Sequence, residues 1–233
     1  MWLSPPDSFR AVQRTEPHSS AMSFREHFKP YLPDAETEKS RAFLPHWEQS
    51  GCTYFVTWRM ADSIPMDKLR ALQNERADWL AQHPKPWDES TWKEFGQRFE
   101  GRVQEWLDLG EGSRFLGNTE ARQIVVDALH FFDGQRYHLG DYVVMPNHVH
   151  VLFIPLPDFE LKKLLHSWKS FTSKEILKRW PEAPNPFWLM ESFDHIVRSE
   201  AQLKLFQDYI RENPAKVHLK PGTWTDWEPE ECG

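Results

Sequence analysis

Two extended runs stand back to back in the chain, residues 136–145 and 147–155, with Pro146-Asn147 at the join. A link that short leaves the second run no path except back alongside the first, so the pair reads as an antiparallel hairpin. Its second run is His148-Val149-His150-Val151-Leu152-Phe153. Side chains alternate across a strand, which puts His148 and His150 on one face, roughly 6–7 Å apart along it, and sends Val149, Val151 and Phe153 into the core. The chain has 11 histidines in 233 residues, and at that density chance supplies ~0.5 His-x-His pairs, so the spacing alone is weak evidence. The setting says more. Imidazoles in an apolar central strand are costly unless a metal ion or hydrogen-bonding partners satisfy them.

The rest of the chain arranges itself around that hairpin. Residues 1–45 are rich in Pro, Ser and charge without sustained periodicity, and read as a poorly ordered N-terminal arm. Residues 52–58, β-branched and aromatic after Gly51, read as the first strand of a single domain over 46–219. Helical patterns over 67–83 and 90–109, broken by Pro84 and Pro86, suggest a helical insertion at about 66–117. Asn118-Thr119 can cap a helix with Ile124, Val125, Ala128, Leu129 and Phe132 on its apolar face, stopped by Gly134. A helix over 159–180 and a short strand over 193–198 follow the hairpin. Ser199 with Gln202 forms an S-x-x-Q start for a last helix that should end before Pro214, and residues 220–233 read as an irregular tail. Without the insertion the order is βαββαβ plus one helix. The expected fold class is therefore α+β: a ferredoxin-like sheet of four antiparallel strands, two helices on one face, and an additional C-terminal helix. That fold hosts many functions and decides none of them.

Composition narrows the classes. The longest apolar stretches, 142–145 and 151–154, fall far short of the ~20 residues a membrane-spanning helix needs. The first twenty residues, broken by prolines and polar groups, lack the charged and apolar regions of a secretory leader, and a cytoplasmic location is expected. Cys52 and Cys232 form no CxxC pair, which argues against a zinc ribbon or a disulfide scaffold. A net charge of −7 does not advertise nucleic-acid binding, so local charge has to be read instead.

Local charge does point that way. Within 161–180 stand Lys162, Lys163, Lys169, Lys174, Lys178 and Arg179 against the single acid Glu175. A solvated helix face is the usual reason for such a run, but in an acidic protein it also suits a phosphate backbone, with Trp168, Trp180 or Trp188 to stack a base. On the last helix Leu203, Phe206 and Ile210 form the buried stripe, and Tyr209 and Asn213 lie at i, i+4 on its margin. Packing and C-capping would explain those two. Their chemistry offers another use: a phenol near a cation that polarises a phosphodiester can attack phosphorus, and an amide oxygen can ligate a hard ion.

The stretches YVVMPNHVHVLF, HSWKSFTSKEI and FWLMESFDHIVRSEAQLKLFQDYIRENPAKVHL resemble the REP-associated tyrosine transposases of the HUH single-tyrosine superfamily. The resemblance covers residues 53–59 and most of 119–219. It implies His148 and His150 as the HUH pair, Tyr209 as the nucleophile and Asn213 as the third, amide ligand of a Mg²⁺ or Mn²⁺ ion, with Asp194-His195 in support. It further implies that single-stranded DNA beside a folded hairpin is cleaved and rejoined through a 5′-phosphotyrosine link, and that a second 3′-OH can reseal the strand without ATP. The partner would be single-stranded or hairpin DNA, and the protein a monomer or a homodimer exchanging tyrosine helices. The insertion and the arm are additions to the compact members of the family and could equally carry target recognition or be lineage decoration. Two rivals stay open: a hairpin-binding protein without cleavage, and a small metal-dependent hydrolase that uses water as its nucleophile.

Overall fold

The computed structural model describes residues 23–33, 35, 38–41, 45–84, 87–110 and 112–229. In chain order the elements are α1 (Phe24–His27), β1 (Glu38–Arg41), β2 (Pro45–Glu48), β3 (Tyr54–Arg59), α2 (Met66–Gln82), α3 (Glu89–Phe95), a π-helical turn (Gly96–Glu100), α4 (Gly101–Leu109) and a 3-10 turn (Phe115–Gly117). There follow α5 (Thr119–His130), β4 (Tyr137–Val144), β5 (His148–Pro155), α6 (Leu161–Arg179), β6 (Phe193–Ile196), α7 (Glu200–Lys216) and β7 (Thr225–Trp227).

The main sheet runs β6-β3-β5-β4-β7, every neighbour antiparallel. Its first four strands have the order expected of βαββαβ, and the α+β class is as anticipated. The fifth strand corrects the reading of residues 220–233 as irregular. β7 pairs with β4 at Tyr142↔Trp227, Val143↔Asp226 and Val144↔Thr225. What holds it there is nonlocal: Trp227 stacks on Tyr142 with ring centroids 5.7 Å apart, and Arg122 of α5 donates to Thr225 Oγ1 at 2.9 Å and to the Gly222 carbonyl at 2.8 Å.

Period-two alternation divides the sheet into two faces. Tyr54, Val56 and Trp58 of β3 and Val149, Val151 and Phe153 of β5 meet α5 and α6 in the larger core. Phe55, Val143, Leu152 and Ile154 face the other way, toward Leu203 and Ile210 of α7. His148 and His150 are in phase with this second set. α7 therefore covers the histidine face, and α5 and α6 lie behind the sheet.

Local signals account for the helix ends. Asn118 Oδ1 accepts from the backbone N–H of Glu120 and Ala121 at 2.9 and 3.3 Å, and Ser199 Oγ from that of Gln202 at 3.2 Å. The Gln202 side chain closes back onto the N–H of Arg198 rather than of Ser199. Pro214 does not end α7, which continues to Lys216. A proline in the last turn forfeits one backbone donor where few turns remain to disrupt, and it is buried against the domain.

Of the expected arm, residues 1–22 lie outside the described residues. The part that follows is packed. Phe24 of α1 is buried over Gly140, where an added Cβ would sit 2.5 Å from its ring, and the Tyr31 N–H bonds the Val197 carbonyl at 2.9 Å. β1 and β2 pair as a separate two-stranded ribbon. The insertion forms the helices α2, α3 and α4, and buries Leu72, Trp79, Phe95 and Phe99 in a small core of its own.

Candidate active site

The hairpin register sets His150 between Thr57 of β3 and Val143 of β4, and His148 opposite Arg59. Both histidines are 0% exposed. Their Nε2 atoms face each other 2.9 Å apart, and each Nδ1 has its own partner: Asn147 Oδ1 for His148 and Thr57 Oγ1 for His150, both at 2.7 Å. The Asn147 amide donates through Nδ2 to the Leu107 carbonyl at 3.0 Å, which fixes which end is oxygen. That oxygen can only accept, so His148 carries its proton on Nδ1 and presents a bare Nε2. The Thr57 hydroxyl can accept or donate, so His150 can take either tautomer. Burial drives both imidazoles toward the neutral form, His148 down to about 3 with help from the Arg59 charge, and His150 well below its ordinary value.

Such a pair fits a cation. Two nitrogens bound cis to one octahedral ion at about 2.1 Å lie ~3.0 Å apart, close to the 2.9 Å observed. Ligand imidazoles also generally tie down their second nitrogen, as Thr57 and Asn147 do here. Among the described residues no group of three or more His, Cys, Asp or Glu side chains is arranged to hold a metal. An ion would thus depend on the two histidines and a ligand of another type.

The amide of Asn213 is that ligand type. The side chain is fully buried and neither its oxygen nor its nitrogen has a hydrogen-bond partner. The hydroxyl of Tyr209, one turn earlier, is likewise buried and unbonded. Unpaired buried polar groups cost roughly 1–3 kcal/mol each and call for a reason; these three atoms lie one turn apart on α7, with the Tyr209 ring against His150, where a bound group would satisfy them. Aromatic packing aims the tyrosine. Its ring meets His150 edge-on at 5.1 Å between centroids and Phe55 at 6.0 Å, and Phe206 stacks on Phe55 at 4.2 Å. The expected nucleophile, histidine pair and amide thus come together within one chain. Burial, then the neighbouring Asp108 carboxylate, pushes the phenol upward from its ordinary value of 10, and the Asn213 and Gln104 amides oppose the rise.

Gln104 and Asp108 went unnoticed in the sequence. They stand at i, i+4 on α4, and Gln104 Nε2 lies 2.9 Å from Asp108 Oδ1 and 3.4 Å from His150 Nε2. Burial raises the Asp108 carboxyl, and the Gln104 and Asn213 amides pull against that rise. Thr57 and Asn147 were also missed as partners, although strand alternation puts Thr57 on the histidine face. His195 supports α7 indirectly, its Nε2 3.0 Å from Gln202 Nε2 and its ring edge-on to Phe206 at 5.5 Å.

The basic residues of α6 are not part of this cluster, because their helix packs on the opposite face of the sheet. Lys162, Lys174, Lys178 and Arg179 are exposed there, and Lys163 is ion-paired with Glu160. Lys169 departs from the expected role of a phosphate contact. Its Nζ bonds the Met190 carbonyl and Ser192 Oγ, each at 2.8 Å, and the Glu191 carbonyl at 3.3 Å, so it ties down residues 190–192. Nor do Trp168 and Trp188 offer stacking surfaces: both are buried, and their indole N–H groups donate to Tyr137 Oη at 3.1 Å and Thr172 Oγ1 at 2.8 Å.

Residues 122–213 match the family described as "Transposase IS200 like". That segment holds His148, His150, Tyr209 and Asn213, so the resemblance read from the sequence and the family match fall on the same residues. Among solved structures the chain is similar to a REP-associated tyrosine transposase bound to a REP hairpin, at 15% identity and a TM-score of 0.44, covering 72% of this chain and 69% of the other. It is also similar to a candidate transposase of Deinococcus radiodurans R1, at 13% identity and a TM-score of 0.31, covering 80% and 98%. No curated protein matches the chain. No helix among the described residues is long and apolar enough to cross a membrane.

Proposed function

We propose that the protein is a single-tyrosine DNA transposase that cleaves and rejoins single-stranded DNA beside a hairpin. The observation that carries the reading is the meeting of Tyr209, His150 and Asn213 in one buried cluster. His148, His150 and Asn213 would hold Mg²⁺ or Mn²⁺, which when bound polarises the scissile phosphate and favours ionisation of a nearby phenol. Tyr209 Oη attacks phosphorus, a new P–O bond forms to the phenol, and the bond to the 3′ oxygen breaks, leaving a 5′-phosphotyrosine and a free 3′-OH. Attack by a second 3′-OH reverses the exchange and releases the tyrosine. Thr57 and Asn147 orient the imidazoles so that Nε2 of each faces the site, and Phe55 and Phe206 hold the phenol against His150. The exposed cations of α6, Lys162, Lys174, Lys178 and Arg179 with Lys163 at the margin, would receive the hairpin backbone, and the cut strand would pass round the sheet edge to the tyrosine face.

The test is incubation of the chain with a labelled single-stranded hairpin substrate and Mn²⁺, followed by a denaturing gel. A covalent protein–DNA adduct that disappears in Tyr209→Phe is expected. Cleavage that survives in Tyr209→Phe would establish hydrolysis by water instead, and a mobility shift with no cleavage would establish binding alone.

A further inference from the structure

We propose that Arg59 is a catalytic residue that binds phosphate, its guanidinium donating to a non-bridging oxygen of the scissile phosphate at the imidazole pair. This rests on the reading of Tyr209 as a nucleophile toward a phosphodiester. β3 brings two polar side chains to the histidine face, Thr57 and Arg59, and each stands opposite one imidazole: Thr57 opposite His150, Arg59 opposite His148. Residues directly opposed on one face of an antiparallel pair hold their Cβ atoms about 4.5–5.5 Å apart. Thr57 uses that proximity for its 2.7 Å bond to His150 Nδ1. On His148 the corresponding nitrogen is already taken by Asn147 Oδ1, also at 2.7 Å, so the long side chain of Arg59 is left for something else.

The guanidinium is a buried charge without an anion. Arg59 is 8% exposed, and a charge so enclosed ordinarily meets a carboxylate. Among the described residues its one side-chain hydrogen bond goes to a neutral group: Nη1 donates to Ser63 Oγ at 3.1 Å, and that hydroxyl donates onward to the Met60 carbonyl at 2.7 Å. Four of the five N–H donors of the fork are left over. Glu191 lies near enough for its charge to favour the guanidinium but closes no ion pair with it, and burial still draws Arg59 down to about 10. The backbone on either side is fixed, the Met60 N–H bonding the Asn147 carbonyl at 2.9 Å and the Leu189 N–H bonding the Arg59 carbonyl at 3.0 Å. Arg59 is thus a preorganised cation with spare donors on the strand position facing His148. A phosphodiester supplies the missing anion. Its non-bridging oxygens gain negative charge as Tyr209 Oη attacks phosphorus, and a fixed guanidinium stabilises that charge more than it stabilises the resting diester. Arg59 gives up no proton, because a guanidinium stays ionised at neutral pH.

The experiment compares the full chain as wild type, Arg59→Gln and Arg59→Lys in two measurements, with thermal melts to confirm folding. One is the rate of adduct formation on saturating labelled hairpin substrate with Mn²⁺, and the other is calorimetric titration with Mn²⁺ in the absence of DNA. Arg59→Gln is expected to slow adduct formation about 10²- to 10³-fold. It should bind Mn²⁺ at least as tightly as wild type, because a positive charge beside the cation centre has been removed. A residue that merely held the histidines in place would lower rate and Mn²⁺ affinity together, and that result overturns the proposal. So does a rate within ~3-fold of wild type. If Arg59→Gln does not fold, Arg59→Lys takes its place: it keeps the charge but loses the fork, with an expected loss of about 10-fold in rate and none in Mn²⁺ affinity. Adduct formed by wild type and undiminished in the Arg59 variants removes only the role of Arg59. A wild-type chain that forms no adduct removes the transposase reading and this role with it.

Discussion

At Tyr209 the ring packs against His150 and Phe55, and the hydroxyl adds nothing to that packing. That hydroxyl has no hydrogen bond to lose, so Tyr209→Phe should shift unfolding free energy by less than ~1 kcal/mol in urea titrations while abolishing adduct formation. Thr57 should behave in the opposite way. Thr57→Val strips His150 Nδ1 of its partner at 2.7 Å and leaves a buried polar nitrogen unpaired. A loss of roughly 1–3 kcal/mol in stability is expected, and Mn²⁺ affinity should fall about tenfold because the imidazole is no longer held in one orientation. The histidines themselves should tie stability to pH. Their folded values lie below the ordinary 6.5, at about 3 for His148, so the unfolded chain takes up protons first as pH falls. Stability is complete above 6.5 and drains away below it by ~1.4 kcal/mol per pH unit for each imidazole. The raised Asp108 and Asp141 carboxyls act in the reverse sense. Comparing wild type with His148→Gln in unfolding titrations at pH 7.5 and 5.5 isolates the histidine part, and equal slopes would refute it.

At the scale of elements, the docking of α1 depends on a missing side chain at the β4 bulge. Gly140→Ala would set a methyl 2.5 Å from the Phe24 ring and should cost about 1–3 kcal/mol, with Phe24→Leu recovering part of the loss in thermal melts. α1 lay inside a region that sequence alone marked as an arm, because four helical residues give no periodicity to detect. The β4–β5 hairpin was legible for the contrary reason: eight-residue strands with period-two alternation and a link of only three residues, Met145 to Asn147, leave few alternatives. β7 was hidden because three residues among prolines and glutamates become a strand only where β4, Tyr142 and Arg122 receive them. The same contrast holds within the site. His148, His150, Tyr209 and Asn213 sit on elements whose spacing is local, whereas Gln104 and Asp108 reach the site across some 40 residues of sequence, and nothing at i, i+4 on an amphipathic helix announces that. The exposed cations of α6 also read correctly as exposed, but their side of the sheet follows from packing alone. If they hold the DNA backbone, replacing Lys174 and Lys178 by Gln should lower the slope of log affinity against log salt by up to ~2 in filter-binding titrations.

Over the whole molecule, Tyr209 and the imidazole pair meet inside a single chain. Mixing Tyr209→Phe with His148→Ala should therefore restore no adduct, since neither copy has a complete set to lend. The insertion joins the sheet in a way that bears on how such a protein can be taken apart. Gly112 presses against the backbone of Asp62 and Ser63, where an added Cβ would lie 2.2 Å from the Asp62 carbonyl, and the Ser113 N–H bonds that carbonyl at 3.1 Å. The chain thus leaves and re-enters the domain through one doorway. A short loop can bridge such a doorway, and excising what lies beyond it should leave a molecule that still folds but has been stripped of its roof.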